Sequence, residues 1–187
     1  ADSLAYLYSM YSFEALSSCQ NLLSSHDVKR FLNRCGNDED GILGAIFLQA
    51  TFPGIAGIYY GDEIGLGGAD DPFNREPFPW HNKESWNSTI LEFTKKLMNI
   101  KKSNSIFKYG RFELLDENEQ FVAFRRILKD ESMLCIINRS KSNDDFNIIS
   151  NAHSVNVIHG DCKANLDQGM IKVTDNSGNI GIILHEQ

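Results

Sequence analysis

Residues 53–80 read PGIAGIYYGDEIGLGGADDPFNREPFPW, a short apolar run that opens into a long loop rich in glycine and proline. The apolar run, 55–60, has the length and the flanking glycines of a fully buried strand. A second short apolar run, 21–24, lies upstream, and a helical pattern fills the residues between the two. Strand, helix and strand in this order predict two neighbouring parallel strands of an α/β sheet.

Amphipathic helices are predicted on both sides of these strands. Residues 3–17 repeat apolar side chains at helical spacing. Residues 88–102 carry the clearest apolar stripe, and Thr89 with Glu92 fits a capping box. The loop 61–85 is long for a compact domain, which is typical of functional loops, and its apolar residues favour an ordered, packed conformation.

The pattern changes to β-rich runs from about residue 106. Seven short runs alternate with turn signals: RFELL, QFVAFRRIL, SMLCIIN, FNIIS, SVNVIH, MIKVT and NIGIILHE. Evenly spaced short strands of this kind predict a small antiparallel β-sandwich. We therefore expect an α/β portion over residues 1–105 and an all-β domain over residues 106–187.

Charge and hydropathy argue against two classes of partner. The chain has 18 Lys and Arg against 25 Asp and Glu, a net charge of −7, whereas a nucleic-acid backbone selects a basic stripe. No run of 18 apolar residues is present, so we expect no membrane span. The first residues also lack the charged start of a signal peptide.

The four cysteines, Cys19, Cys35, Cys135 and Cys162, form no C-x-x-C pair. Zinc and redox sites are therefore weakly supported, and no other metal-ligating cluster is visible. Buried, reduced thiols are typical of cytosolic proteins. We expect a cytoplasmic protein without a cofactor.

Three polar clusters could carry chemistry: Ser25-His26-Asp27, Gly61–Gly65 and Asp71–Arg75. All three follow the predicted strands, so they could meet at the rim where α/β barrels build their active sites. Each cluster also has a structural explanation. Asp27 could cap the helix that follows it, and Asp71 could pair locally with Arg75. Asp62 and Glu63 could be solvated turn residues.

Two of these segments resemble a known family. LLSSHD at Leu22–Asp27, followed by Arg30-Phe31-Leu32, resembles the fourth signature region of the α-amylase family of glycoside hydrolases, family 13. Residues 53–80 resemble the eighth barrel strand of that family and the loop after it. The Ser-His-Asp form is similar to the branch of cyclomaltodextrinases, neopullulanases and maltogenic amylases.

The resemblance implies a place in a TIM (β/α)8 barrel for each segment. Residues 20–25 resemble strand seven, 55–60 strand eight and 88–102 the last barrel helix. Residues from 106 onward resemble the small antiparallel domain that follows the barrel. The implied fold is the C-terminal portion of a barrel plus a β-sandwich, because 187 residues are fewer than the roughly 250 of a complete barrel.

The resemblance also implies site residues. The family hydrolyses α-glucosidic bonds with retention, using a carboxylate nucleophile, a general acid and a third carboxylate that grips the ring hydroxyls. Asp27 matches this third carboxylate, a transition-state stabiliser, and His26 matches its neighbour. Asp71 and Arg75 match loop residues that bind the next sugar. Trp80 could stack on a sugar, although packing against the last helix is the favoured expectation.

The nucleophile and the general acid belong to strands four and five of the family, and nothing in this chain matches their signatures. We expect part of a retaining hydrolase that acts on α-1,4 or α-1,6 bonds of maltooligosaccharides, cyclodextrins, pullulan or starch. The isolated chain should be inactive, and its exposed barrel surface should favour a homo-oligomer. Some family members bind metal ions, so calcium could bind the parent.

Two alternatives stay open. The chain could be a non-catalytic carbohydrate-binding or structural module in which the β-rich part is the working part. It could also be part of an oligo-1,6-glucosidase-like or isomerising relative, because the loops that distinguish these enzymes lie upstream.

Overall fold

The computed structural model describes residues 4–140 and 142–187. These residues fold into two units. The α/β unit contains residues 18–50 and 54–103. The β unit contains residues 4–17, 51–53 and 104–187. The segment from residue 104 onward starts close to the expected boundary near residue 105. The β unit also contains two segments that lie before this boundary, 4–17 and 51–53.

Six helices and ten strands lie in the described residues. The helices are α1 (Leu4–Met10), α2 (Phe13–Ser18), α3 (Phe31–Arg34), α4 (Glu39–Thr51), α5 (Ser88–Ser103) and α6 (Ser105–Tyr109). The strands are β1 (Gln20–Leu22), β2 (Ile55–Gly57), β3 (Arg111–Glu117), β4 (Phe121–Leu128), β5 (Glu131–Asn138), β6 (Asp145–Ile149), β7 (Val155–His159), β8 (Cys162–Asp167), β9 (Met170–Asp175) and β10 (Gly181–Glu186). Over 4–140 and 142–187, no helix is both long enough and apolar enough to cross a membrane.

β1 and β2 form a parallel pair, with Gln20 opposite Ile55 and Leu22 opposite Gly57. The predicted strand–helix–strand order with parallel strands is therefore confirmed. The prediction that the strand at 55–60 is fully buried is wrong, because Ile55 is 59% exposed, and Leu22 of the partner strand is 51% exposed as well. Within the described chain these two short strands pair only with each other, so no further strand shields their apolar side chains.

A buried glutamine of α4 holds the two strands together. The Nε2 group of Gln49 donates hydrogen bonds to the carbonyl of Asn21 at 2.8 Å and to the carbonyl of Gly57 at 2.7 Å. One amide group therefore satisfies a carbonyl on each strand and fixes α4 against both of them.

The loop after β2 is ordered, and it contains three single turns of 3₁₀-helix at Asp62–Ile64, Phe73–Arg75 and Lys83–Ser85. α5 follows, close to the predicted range. Its cap differs from the prediction, because the Oδ1 atom of Asn87 accepts a hydrogen bond from the N–H of Ile90 at 3.0 Å. The cap therefore lies two residues before the predicted one, since a capping box at Thr89 would have satisfied the N–H of Glu92 instead.

The β unit contains two antiparallel sheets. Five strands pair in the order β3-β4-β5-β10-β7, and three pair in the order β6-β9-β8. One apolar cluster draws its buried side chains from both sheets: Ala123, Leu134, Ile136, Phe146, Ile148, Ile171, Val173, Ile182 and Leu184. The shared core and the antiparallel pairing agree with the expected β-sandwich.

One strand of the β unit was not among the predicted runs. β8 reads CKANLD, and three of its six residues are polar or charged. Its alternate residues Cys162, Ala164 and Leu166 nevertheless pack against the core. Apolar residues do alternate with polar ones along β8, but Cys162 and Ala164 are small, so the alternation is a weak signal for a strand.

The N-terminal segment forms two helices rather than the single predicted helix, whose first residue, Ser3, lies outside the described residues. Ser12 separates α1 from α2, and its Oγ atom accepts a hydrogen bond from the N–H of Ala15 at 3.3 Å. A serine at this position starts a new helix because it satisfies a free N–H group. The ring of Tyr8 lies 4.9 Å from that of Phe112 in β3, which explains why this segment belongs to the β unit.

None of the four cysteines forms a disulfide bond in the described chain. Only Cys135 is buried, whereas Cys19 is exposed and the other two are intermediate. The expectation of reduced thiols therefore agrees with the structure, and the expectation that they are buried is correct for Cys135 alone. Cys19 follows a helix end, where no packed layer covers it.

The β unit also buries an arginine completely. The Nε and Nη2 atoms of Arg126 donate to the carbonyl of Gly110 at 3.1 and 2.7 Å, and Nη1 donates to the carbonyl of Thr51 at 2.6 Å. No carboxylate of the described residues pairs with this guanidinium, and burial lowers the pKa of Arg126 to about 10. Peptide dipoles, including the carbonyl at which α4 ends, stabilise this buried cation.

Candidate active site

His26 and Asp27 lie in the loop that follows β1. Their side chains contact each other, with His26 Nε2 at 3.2 Å from Asp27 Oδ1, and they are 66% and 77% exposed. Asp27 does not cap α3, because the N–H of Phe31, the first residue of that helix, donates to Ser24 Oγ and not to Asp27. The structural explanation that the sequence left open for Asp27 therefore does not apply, and the carboxylate is accessible to a ligand.

Asp71 and Arg75 lie in the loop after β2, and Arg75 ends the second 3₁₀ turn. Arg75 Nη2 donates to Asp71 Oδ1, and both side chains are substantially exposed. The local ion pair that the sequence suggested is present. It holds donors and acceptors of opposite charge side by side at the surface.

A buried asparagine brings these two loops together. The Nδ2 group of Asn74 donates to the carbonyl of His26 at 2.9 Å and to the carbonyl of Val28 at 3.1 Å. Asn74 itself is fully buried and stands between Asp71 and Arg75 in sequence. The His26–Asp27 pair and the Asp71–Arg75 pair therefore lie on loops that are bonded to each other.

A buried polar network lies directly beneath these loops. Ser24 Oγ donates to Asp62 Oδ1 at 2.8 Å, and it accepts a hydrogen bond from the N–H of Phe31 at 2.9 Å. Arg30 Nη1 lies 3.6 Å from Asp62 Oδ1 and donates to the carbonyl of Tyr60. The network connects the segment after β1 with the segment after β2.

Two tyrosine rings cover the guanidinium of Arg30. Its Cζ atom lies 4.3 Å from the ring centroid of Tyr59 and 4.5 Å from that of Tyr60. A desolvated guanidinium gains most from such contacts, because the negative ring faces replace part of its hydration. Arg30 is therefore a structural cation at the base of the site, and it is fully buried.

Burial raises the pKa of Asp62 to about 6, and the charge of Glu63 adds to this rise. The hydrogen bond from Ser24 and the positive charge of Arg30 act in the opposite direction. Asp62 is therefore a buried carboxyl group that titrates well above its ordinary range.

The raised pKa of Asp62 predicts a pH-dependent stability. The folded state binds a proton more tightly than the unfolded state, so the stability contributed by Asp62 is greatest below pH 4 and is lost as the pH rises to about 6. A rise in the pKa from 3.8 to about 6 corresponds to a change of about 3 kcal/mol in the free energy of unfolding. Denaturant unfolding of the wild type and of Asp62→Asn from pH 3.5 to 7 should show the wild type losing stability relative to the variant.

Asp145→Asn is the matched control, because Asp145 is exposed on β6 and makes no side-chain hydrogen bond in the described chain. This variant should follow the wild-type profile. Parallel profiles for the wild type and Asp62→Asn over the whole range would contradict the assignment.

The buried part of the site was not found from the sequence. The possibility that Asp62 is a solvated turn residue is wrong, because the residue is only 4% exposed. No role was predicted for Arg30 beyond its place in the signature, and Asn74 was not singled out. The DE pair directly after an apolar strand was the available signal, since a charged residue at that position borders the core.

An aromatic cluster lies further along the same loop. The ring of Trp80 lies 4.2 Å from that of Phe78 and 6.2 Å from that of Trp86. Trp80 is nevertheless 65% exposed. Its ring partners come from its own loop, whereas packing against the last helix was the favoured expectation.

The site presents neutral and charged groups that suit a hydroxylated ligand. Carboxylates accept hydroxyl protons, and the imidazole and guanidinium groups donate to hydroxyl oxygens. Within the described ranges, no group of three or more His, Cys, Asp or Glu residues is placed to hold a metal ion.

Comparison with known proteins agrees with this arrangement. The family profile described as "Alpha amylase, catalytic domain" matches residues 5–106. An intracellular maltogenic amylase of Bacillus subtilis (strain 168) is 40% identical over 125 residues, which are 64% of this chain and 21% of that protein. Neopullulanase 2 of Thermoactinomyces vulgaris is 36% identical over 131 residues, which are 69% of this chain and 22% of that protein.

A solved structure is also similar over almost the whole chain. The debranching enzyme of Nostoc punctiforme superposes with a TM-score of 0.85 and 29% identity, over 97% of this chain and 38% of that chain. The chain spans about a fifth of the two curated relatives. Because the family profile covers more than half of its residues, the chain belongs to the α-amylase family of glycoside hydrolases.

Proposed function

We propose that this chain forms part of a retaining α-glucan hydrolase and carries the residues that bind and stabilise the sugar at the cleavage point. One observation carries the proposal: Asn74 bonds the exposed His26–Asp27 pair to the loop of the Asp71–Arg75 pair at the end of a parallel strand. The names of the relatives, a maltogenic amylase and a neopullulanase, support α-glucan as the substrate class.

We propose further that residues 1–105 belong to the C-terminal part of a (β/α)8 barrel. The parallel register of β1 and β2, with α4 between them in sequence, supports strands seven and eight of such a barrel. The match of the catalytic-domain family to 5–106 supports the same range. In barrels the loops after the strands form the active-site rim, which is where the proposed site residues lie.

In this proposal Asp27 is the third carboxylate of the retaining mechanism. As the glycosidic bond breaks, positive charge develops on the ring and its hydroxyl groups become more acidic. An ionised carboxylate that accepts two of these hydroxyl protons then binds more tightly than it does in the ground state. His26 donates to the same hydroxyls, and its contact with Asp27 orients both groups.

Asp71 and Arg75 hold the next sugar toward the non-reducing end. Their ion pair limits the motion of both side chains, so less conformational entropy is lost when a sugar binds. Asn74 transmits the position of this pair to the loop of Asp27. Binding energy from the neighbouring sugar can thereby position the reacting sugar.

The nucleophile and the general acid are expected from another part of the parent protein, since a retaining reaction needs two carboxyl groups about 5 Å apart. The isolated chain should therefore release no reducing ends from cyclodextrin, pullulan or starch. The full-length parent should hydrolyse at least one of these substrates under the same conditions.

A reducing-sugar assay on both proteins checks this prediction, and a boiled sample of each serves as the blank. Release of reducing ends by the isolated chain above its blank would contradict the prediction that it is inactive. A full-length parent that is inactive on every α-glucan tested would contradict the proposed function.

We also propose a cytoplasmic location. The relative named as an intracellular maltogenic amylase supports it.

A further inference from the structure

The β unit contains a cavity of about 550 Å³ that is lined mostly by residues with polar or charged side chains and is remote in sequence from the proposed active site. Eleven residues line it, from the five-stranded sheet, from the turn after β4 and from the chain after β6. Side chains of β4 and β10 point into it from the sheet face that also carries the core residues Ala123 and Leu184. Its volume is typical of small-molecule sites.

A rigid charge pair forms the floor of the cavity. Glu186 is 3% exposed and accepts hydrogen bonds from Arg125 Nε at 2.8 Å and from Arg125 Nη2 at 3.0 Å. Ser132 Oγ and Ser150 Oγ donate to the same carboxylate at 2.6 and 2.7 Å. Burial alone would raise the pKa of Glu186, but these hydrogen bonds together hold it below its usual range. The carboxylate is therefore fixed and ionised.

Arg125 is positioned by this floor and keeps one group available. Its Nη2 atom also donates to the carbonyl of Ile149 at 2.6 Å. Its Nη1 atom bonds to no other described residue, although the side chain is only 14% exposed. Because Arg125 lines the cavity, this N–H group is available to a ligand there.

The walls add polar groups that are also unengaged. The side chains of Glu113, Asp130, Asn151 and His153 line the cavity and make no hydrogen bond or ion pair with the rest of the described chain. They supply two carboxylates that accept hydrogen bonds, an amide that both donates and accepts them, and an imidazole. The cavity therefore offers donors and acceptors together, from both charged and neutral groups.

This combination selects against small ions. A small anion is disfavoured, because Glu186 already neutralises Arg125 and the carboxylates of Glu113 and Asp130 add negative charge. A metal cation is disfavoured, because no group of three or more His, Cys, Asp or Glu of the described residues is placed to hold one. Neutral hydroxyl groups both donate and accept, so a polyol can hydrogen-bond to the donors and the acceptors of this cavity at the same time. We propose that the cavity is a second, non-catalytic carbohydrate site that binds an α-glucan oligosaccharide; the choice of α-glucan among polyols rests on the proposed function.

The test uses the full 187-residue chain and maltotriose as the probe, with binding measured by titration calorimetry and by amide shifts in NMR spectra. The double variant Glu113→Gln/Asn151→Ala removes one charge and one amide from the cavity wall. Glu119→Gln/Asn147→Ala makes the same chemical changes at exposed positions outside it. The amide shifts of residues 26–28 report on the proposed active site, and thermal unfolding shows that each variant is folded.

The cavity variant should bind maltotriose at least tenfold more weakly than the wild type, whereas the matched variant should bind as the wild type does. A tenfold excess of inorganic phosphate or spermidine should not displace the sugar. The proposal is overturned if the wild type does not bind, if the cavity variant binds unchanged, if either ion displaces the sugar, or if the sugar shifts only the amides of residues 26–28. The last result would support the proposed function, which is judged separately by the activity of the parent.

Discussion

Replacing Asp27 by Asn in the full-length parent is expected to lower kcat by about 100- to 1,000-fold, equal to about 2.7–4 kcal/mol of transition-state stabilisation. Asn has nearly the same shape, but its amide group donates where the carboxylate oxygen accepted. The hydroxyl contacts that strengthen as the ring becomes positive are therefore lost. Because they act mainly in the transition state, kcat and kcat/KM should fall together. Steady-state kinetics on maltotriose or a cyclodextrin measures both.

Asp70→Asn is the matched control in the same region. Asp70 is exposed and pairs with Lys29 at 3.1 Å, and such a surface ion pair contributes little. The kcat of the Asp70→Asn variant should stay within about a factor of three of the wild-type kcat. An unchanged kcat in Asp27→Asn would exclude the proposed role of this carboxylate.

The second large effect concerns stability. Arg126→Ala is expected to destabilise the chain by about 3–4 kcal/mol, because the buried carbonyls of Gly110 and Thr51 lose their donors and a cavity remains. Chemical denaturation monitored by tryptophan fluorescence and circular dichroism measures the difference. Arg126→Lys keeps the charge but loses the forked geometry, so it should lie between Arg126→Ala and the wild type.

Arg111→Ala provides the comparison for losing an arginine from the same sheet. The side chain of Arg111 is exposed and makes no hydrogen bond in the described chain, so its removal should change stability by less than about 0.5 kcal/mol. A loss below about 1 kcal/mol in Arg126→Ala would show that relief of the buried charge offsets the lost hydrogen bonds.

The outline of the fold followed from short-range patterns. The apolar run at 55–60 and the helix before it predicted a parallel strand pair, and β1 and β2 form one. The extent of burial could not be predicted in the same way. Whether Ile55 is covered depends on neighbouring strands and not on its own segment, and in the described chain it is 59% exposed.

In the candidate site, too, features set by local sequence could be predicted, and features set by distant contacts could not. The positions of His26 and Asp27 after β1 were visible, because polar residues that follow an apolar strand stand out in sequence. The burial of Arg30 was not, since an isolated arginine usually lies at the surface. Its environment depends on Tyr59 and Tyr60, which are distant in sequence and come within 4.5 Å only when the two strands pair.

Asn74 has a consequence for how such enzymes can be recombined. Its single amide group donates to two carbonyls of the other loop, so residues 70–76 and 26–28 act as one exchangeable module. In a chimera, the loop of Asp71 and Arg75 could be replaced alone by that of a relative which also has Asn at this position, because the hydrogen bonds to the loop of Asp27 would then be kept. If it does not, both segments have to be transplanted together.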